Sequence, residues 1–178
     1  MNLEEKTLTQ EYRFRGRIIN LRTDTAELPN GEVAGREVVE HPGGVCVAPL
    51  TDSGELLFVR QFRYPYGEIL LELPAGKRDR AEEDPLECGK RELLEETGAT
   101  AIRYRSLGCV YPSPGFCNEV IHLYLAEGLS FGEAQPDEDE FVEVERIPLS
   151  EAVTMVMNGE IRDAKTQIAI LKIAELKK

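Results

Sequence analysis

The sequence predicts an α/β sandwich, preceded by a β-rich N-terminal extension, and three observations carry that expectation. Short apolar runs separated by turn residues dominate the chain up to residue 75, which is strand-like patterning. Helical spacing of apolar residues then appears in segments 84–97, 149–158 and 163–177, interleaved with further strand-like runs. His41-Pro42-Gly43-Gly44 interrupts the pattern and is the best boundary, dividing an extension, residues 1–42, from a main domain, residues 43–178.

Taken in order, Pro29-Asn30-Gly31 joins two alternating stretches of the extension as a hairpin turn. In the main domain, Thr51 to Gly54 is a turn between strands at Val45 to Leu50 and Leu56 to Phe62. Further strands are expected at Ile69 to Leu73, Arg105 to Val110, Val120 to Ala126 and Glu140 to Ile147. The first helix has a defined start: Asp84 can cap free N–H groups, Pro85 suits the first helical position, and Glu87 is placed to complete a capping box. Gly98 stops it. In the last helix, Ile168, Leu171 and Leu176 keep helical spacing.

The 178 residues, 42% hydrophobic and 30% charged, fit a globular protein. No apolar run approaches the roughly 18 residues of a membrane-spanning helix, and the polar, acid-containing start from Met1 to Gln10 does not resemble a signal peptide, so a cytoplasmic protein is expected. A net charge of −12 repels phosphate backbones and anionic lipid, so neither nucleic acid nor membrane is an expected partner. Cys46, Cys88, Cys109 and Cys117 show no metal-knuckle spacing and are expected to be reduced packing residues. His41 and His122 are likewise expected to be structural. The charge is uneven: Arg13, Arg15, Arg17 and Arg22 stand in a stretch without acids, whereas residues 82–96 hold many acids against Lys90 and Arg91. A second acidic cluster runs from Asp137 to Glu145.

At about 100° per residue, Glu92, Glu95 and Glu96 share one helix face, expected to be exposed, while Leu86, Gly89 and Leu93 lie on a neighbouring face that can pack inward. Carboxylates so clustered repel one another, and an oxygen-ligated hard cation such as Mg²⁺ or Mn²⁺ compensates naturally. Arg91 can supply a fixed positive partner that orients a carboxylate. The alternative is a solvated acidic helix without a ligand.

From Gly76 to Ala99, GKRDRAEEDPLECGKRELLEETGA resembles the Nudix box, G-x5-E-x7-R-E-U-x-E-E-x-G-U with U a bulky apolar residue. Two departures stand out: with Glu83 as the first glutamate, six residues rather than five follow Gly76, and Ala99 replaces the last bulky residue. The resemblance is closest to the ADP-ribose pyrophosphatase branch. It extends to Leu71-Glu72-Leu73-Pro74-Ala75-Gly76, to Arg60-Gln61-Phe62-Arg63-Tyr64, and to Pro114, fifteen residues after Ala99. It implies a Nudix-type α/β/α sandwich with a mixed sheet and metal-dependent hydrolysis of ADP-ribose to AMP and ribose 5-phosphate.

The resemblance also implies roles. Glu92 and Glu96, with the Ala75 carbonyl, are implied metal ligands, and Glu95 is a direct or water-mediated one. Arg91 is the orienting partner of Glu83 or a helix glutamate. Glu72 is implied near the metals or substrate, Arg63 is the first choice for a substrate contact with Arg36 and Arg60 behind it, and Pro114 marks the branch. The base is expected from the acidic loop, Glu140 first and Glu138 second, with Glu95 or Glu83 as fallbacks. Tyr12, Phe14 or Tyr64 must supply any stacking ring, since the chain has no Trp. A homodimer is expected, its extension helping to build the partner's site. Rival expectations are a Nudix hydrolase of other nucleoside diphosphate sugars and a non-catalytic ADP-ribose-sensing module. A Ca²⁺-binding loop is excluded, because Asp137 to Glu140 lacks the glycine and ligand spacing of an EF-hand.

Overall fold

The structure, a computed structural model, describes residues 2–80, 82–135 and 141–178, in two compact units. The first unit comprises Met1–Gly43 and Tyr111–Val120, and the second Gly44–Val110 and Ile121–Lys178. A cut at residue 42 does not anticipate that Tyr111–Val120 groups with the first unit. The cause is hydrogen bonding: Val39 N–H donates to the Phe116 carbonyl at 2.7 Å, Asn118 N–H donates to the Val39 carbonyl at 3.1 Å, and Asn118 Oδ1 accepts the His41 N–H at 2.8 Å.

The first unit is an antiparallel sheet of β1 (Lys6–Arg15), β2 (Asn20–Glu27) and β3 (Val33–Glu40), in that order. Between β2 and β3 the chain turns at Pro29-Asn30-Gly31, where the Gly31 N–H donates to the Leu28 carbonyl at 2.8 Å. The arginine-rich stretch is largely paired within this sheet. Arg13 meets Glu11 at 2.5 Å, Arg15 lies 3.6 Å from the Tyr12 ring centre, and Arg22 binds Asp24 and Glu40.

The second unit is built on a mixed sheet. Its strands are β4 (Gly44–Leu50), β5 (Glu55–Arg63), β6 (Glu68–Glu72), β7 (Ala75–Lys77), β8 (Ala99–Val110), β9 (Ile121–Phe131) and β10 (Val142–Pro148). The main order is β10-β5-β4-β9-β8, with β6 on β5 and β7 on β4; among the described residues of this sheet only β4 and β9 run parallel. Every residue of β4 is buried, as expected of a strand covered on both faces.

Period-two alternation sends successive side chains to opposite faces, and each face takes its own helices. On one side Val45, Val47, Leu57 and Ala126 pack with Cys88 and Leu93 of α1 (Pro85–Thr97). On the other, Cys46, Ala48, Phe58 and Leu123 pack with Ala152 and Val156 of α2 (Leu149–Met157) and with Ala169, Ile170 and Ile173 of α3 (Ala164–Leu176). This is the α/β/α arrangement that the resemblance implies, and it agrees with the α/β sandwich expected from the interleaved pattern.

Helix α1 starts as its residues dictate, with Asp84 accepting from the Leu86 and Glu87 N–H groups at 2.9 and 3.1 Å. Glu87 does not close a capping box; its carboxylate takes Lys90 at 2.7 Å, three residues on along the exposed side. Gly98 ends the helix at φ 67°, a left-handed conformation natural to glycine, and its N–H donates to the Leu94 carbonyl. Cys46 and Cys88 are buried packing residues, and burial first of all pushes the Cys88 thiol up to about 12. Cys109, by contrast, is exposed, on a strand whose outer residues lack cover.

Candidate active site

Helix α1 does not present its acidic face to solvent. Glu92 and Glu96 are 7% and 2% exposed, because α1 lays them against β7 and the segment leading into it. The Ala75 N–H donates to Glu96 Oε2 at 3.1 Å. Gly76 leaves the room that Glu92 occupies, since a Cβ there would stand 1.9 Å from the carboxylate carbon. The expectation of an exposed acidic face is therefore corrected: helical spacing shows which residues share a face but not which short strand covers it.

Arg91 gathers the acids around this pair. Its Nη1 lies 2.9 Å from Glu92 and 2.8 Å from Glu95, and its Nη2 lies 3.7 Å from Glu83. Burial acts to lower the guanidinium pKa, but the charges of Glu92 and Glu95 outweigh it and hold the group firmly protonated. Glu83 also anchors the loop before the helix, accepting the Asp79 N–H at 2.7 Å.

Three residues before Ala75 lies a second buried carboxylate system. Glu72 is 2% exposed and accepts two parallel hydrogen bonds from Arg63, at 2.7 Å from Nε and 2.8 Å from Nη2. Lys165 makes a short contact with the same carboxylate and lies 3.0 Å from Asp163. Burial acts to raise the Glu72 pKa, yet the Arg63 hydrogen bond and the Lys165 charge overcome it and hold the group at about 2. Asp163 caps α3 by accepting the Thr166 N–H at 3.0 Å, and Thr166 Oγ1 accepts the Leu73 N–H at 2.9 Å.

The predicted residues thus fall into separate groups. Ala75, Glu92, Glu95, Glu96 and Arg91 come together along α1 and β7, and Arg63 joins Glu72. Arg60 stands apart, paired with Glu145 at 2.8 Å. Arg36 and Pro114 belong to the first unit, where they line one cavity of about 400 Å³ with Phe116, and Arg36 is held by Glu5 at 2.6 Å. Glu138 and Glu140 lie outside the described residues. Among the possible stacking rings, Tyr12 is covered by Arg15, whereas Phe14 and Tyr64 are 56% and 88% exposed.

Sequence reasoning missed the roles of Lys165, Asp163 and Thr166. A signal was available: a lysine in the first turn of a helix opposes the positive end of the helix dipole, which calls for a compensating partner elsewhere.

Among the described residues, no three acidic, cysteine or histidine side chains already form a metal cage. The donor set nevertheless fits an oxygen-ligated divalent ion. Two buried carboxylates lie against a backbone segment opened by Gly76, and Glu95 shares Arg91 Nη1 with Glu92.

The layered fold and this carboxylate-bearing helix define a Nudix hydrolase, and the chain belongs to that family: the NUDIX domain matches residues 40–167. The nucleoside diphosphate sugar hydrolase N-terminal domain matches residues 5–39. The chain is 46% identical over 171 residues to the ADP-ribose pyrophosphatase of Bacillus subtilis (strain 168), covering 95% of this chain and 92% of that one. It is 44% identical over 169 residues to the methanol dehydrogenase activator of Bacillus methanolicus, covering 94% and 91%. A solved structure described as an ADP compounds hydrolase shares the fold, with a TM-score of 0.86 at 22% identity over 99% of this chain and 96% of that chain.

The depressed Glu72 pKa has a consequence for stability. An ionised Glu72 stabilises the fold fully above the ordinary carboxylate value of 4.5, and that contribution is lost as the pH falls through about 2. Chemical denaturation from pH 7 down to pH 2 is expected to show Glu72→Gln less stable than wild type by about 3 kcal/mol near neutrality, the gap closing below pH 4.5. A gap independent of pH would remove the charge of Glu72 from the account.

Proposed function

We propose that this chain hydrolyses the diphosphate of ADP-ribose to AMP and ribose 5-phosphate with a divalent cation, Mg²⁺ or Mn²⁺. The observation that carries the reading is the pair of buried carboxylates, Glu92 and Glu96, beside Ala75 and Gly76 within an intact R-E-L-L-E-E segment. Glu92, Glu96 and the Ala75 carbonyl would hold the metal, with Glu95 as a further ligand. When bound, the ion supplies charge neutralisation at phosphoryl oxygens and an acidified water. Arg91 orients the glutamates. Arg63, backed by Glu72, offers a phosphate contact from its one-third-exposed side chain, and Arg60 and Arg36 are secondary. The naming of the Bacillus subtilis relative supports ADP-ribose as substrate. The N-terminal family match favours a second reading, other nucleoside diphosphate sugars, which use the same chemistry. A purely sensing role is disfavoured because the acidic core of the box is complete.

Product analysis tests the reading. With Mg²⁺, ADP-ribose is expected to yield AMP and ribose 5-phosphate faster than a panel of nucleoside diphosphate sugars, with no turnover after chelation. Glu92→Gln and Glu96→Gln are each expected to lower kcat by about two orders of magnitude or more. A chelation-resistant activity, or full activity in either variant, overturns the metal assignment, and a preferred sugar diphosphate overturns the substrate.

The proposed general base is Glu140, with Glu138 second, from an acidic segment that precedes β10. Glu95 is less suited while Arg91 holds it. Loss of the acidic limb of the kcat–pH profile in Glu140→Gln, with metal affinity retained, is the expected result. A wild-type profile in both Glu140→Gln and Glu138→Gln returns the role to Glu95 or Glu83.

We also propose a cytoplasmic homodimer. All four cysteines are free, as a reducing compartment favours. The ten residues of β1 are all exposed, and β1 forms the outer edge of its sheet, an arrangement that invites pairing with a second chain. Sedimentation equilibrium is expected to give twice the chain mass, and a strictly monomeric protein dismisses the dimer.

A further inference from the structure

Lys165 is only 11% exposed and occupies the first turn of α3, where the free N–H groups of the helix disfavour a positive charge. Both circumstances are unfavourable to an ammonium unless carboxylates face it, and two do: Asp163 at 3.0 Å and Glu72 in close contact. The contact is tied down from both sides. Thr166, the next residue, accepts the N–H of Leu73, the residue after Glu72, so the first turn of α3 and the end of β6 are joined by a neutral hydrogen bond beside the ionic one.

The other partner of Glu72 is Arg63. The carboxylate occupies Nε and Nη2, and among the described residues Nη1 makes no hydrogen bond. The charge of Glu96 also acts on Arg63, which places this guanidinium within electrostatic reach of the carboxylate pair on α1. An arginine gripped along one edge offers the opposite edge as a fixed donor, whereas a carboxylate held by that arginine alone could swing with it. Lys165 approaches Glu72 from a different element and removes that freedom.

We propose that Lys165 is a positioning residue for substrate binding: by pinning Glu72 from α3, it fixes the orientation in which Arg63 offers Nη1 to a phosphoryl oxygen of the nucleoside diphosphate. The proposal rests on the reading of Arg63 as a substrate contact. Its energetic basis is preorganisation, because ordering a long side chain on binding weakens affinity and Lys165 orders it beforehand.

Steady-state kinetics with ADP-ribose in saturating Mg²⁺ test this in wild type, Arg63→Ala, Lys165→Met, Glu72→Gln and the Lys165→Met/Glu72→Gln double variant. Lys165→Met is expected to raise KM roughly tenfold while kcat stays within about threefold. In the Glu72→Gln background the same substitution is expected to change KM by less than about twofold, because the path through Glu72 is already broken. An unchanged KM in Lys165→Met, beside a raised KM in Arg63→Ala, overturns the proposal and leaves the Arg63 contact standing. Multiplying effects in the double variant also overturn it, since Lys165 then acts independently of Glu72. An unchanged KM in Arg63→Ala overturns the Arg63 contact itself and the proposal with it. If Lys165→Met does not fold, Lys165→Gln, which keeps a donor without the charge, carries the same comparison.

Discussion

Three carboxylates, Glu72, Glu92 and Glu96, are almost wholly removed from water in the second unit, and much of its architecture answers that burden. An ionised group in the interior is tolerated only where partners and hydrogen bonds replace its solvent. Arg63 and Lys165 do this for Glu72, and Arg91 contributes for Glu92. The Ala75 N–H does so for Glu96. The cations come from three different elements, the sheet strand β5 and the helices α1 and α3, so the acids keep their places only when both helices are docked on the sheet.

The sheet makes that docking possible. Alternation along β4 commits Val45 and Val47 to the α1 side and Cys46 and Ala48 to the α2 and α3 side. The helix that carries Glu92 and Glu96 and the helix that carries Lys165 therefore sit on opposite faces. They meet through Leu73 to Gly76, which run from the end of β6 into β7. Leu73 is fastened to α3 through Thr166, while Ala75 is fastened to α1 through Glu96. Four residues thus couple the two layers, and the Leu-Pro-Ala-Gly sequence suits that passage: a buried anchor, a residue without a donor, a small residue and an open one.

Much of this is legible in the sequence because it is local. The α1 boundaries follow from Asp84, Pro85 and Gly98, the hairpin follows from Asn30-Gly31, and the grouping of Glu92, Glu95 and Glu96 follows from helical geometry. What could not be read depends on partners far along the chain. The three residues of β7 are too few for any periodicity to register. The burial of Glu92 and Glu96 depends on that strand. Lys165 contacts a glutamate 93 positions away, and Tyr111–Val120 joins the first unit through hydrogen bonds to Val39 and His41. Pairings at such separation leave no trace in spacing, although a lysine against the helix dipole marks one end of such a pair.

The extra residue after Gly76 shows how a local departure from a family pattern is absorbed. Two glutamates, Glu82 and Glu83, compete for the position that precedes Arg91 in the box. Glu82 is exposed, whereas the Glu83 carboxylate lies 3.7 Å from Arg91 and accepts the Asp79 N–H at 2.7 Å. The Glu83 N–H in turn donates to the Arg80 carbonyl at 3.1 Å. These hydrogen bonds hold Glu83 beside Arg91, and the seven-residue gap to Arg91 is kept. A helix cannot absorb one residue without rotating every later side chain by about 100°. An insertion in the loop leaves Glu92 and Glu96 facing β7; the same insertion after Asp84 would have turned them away.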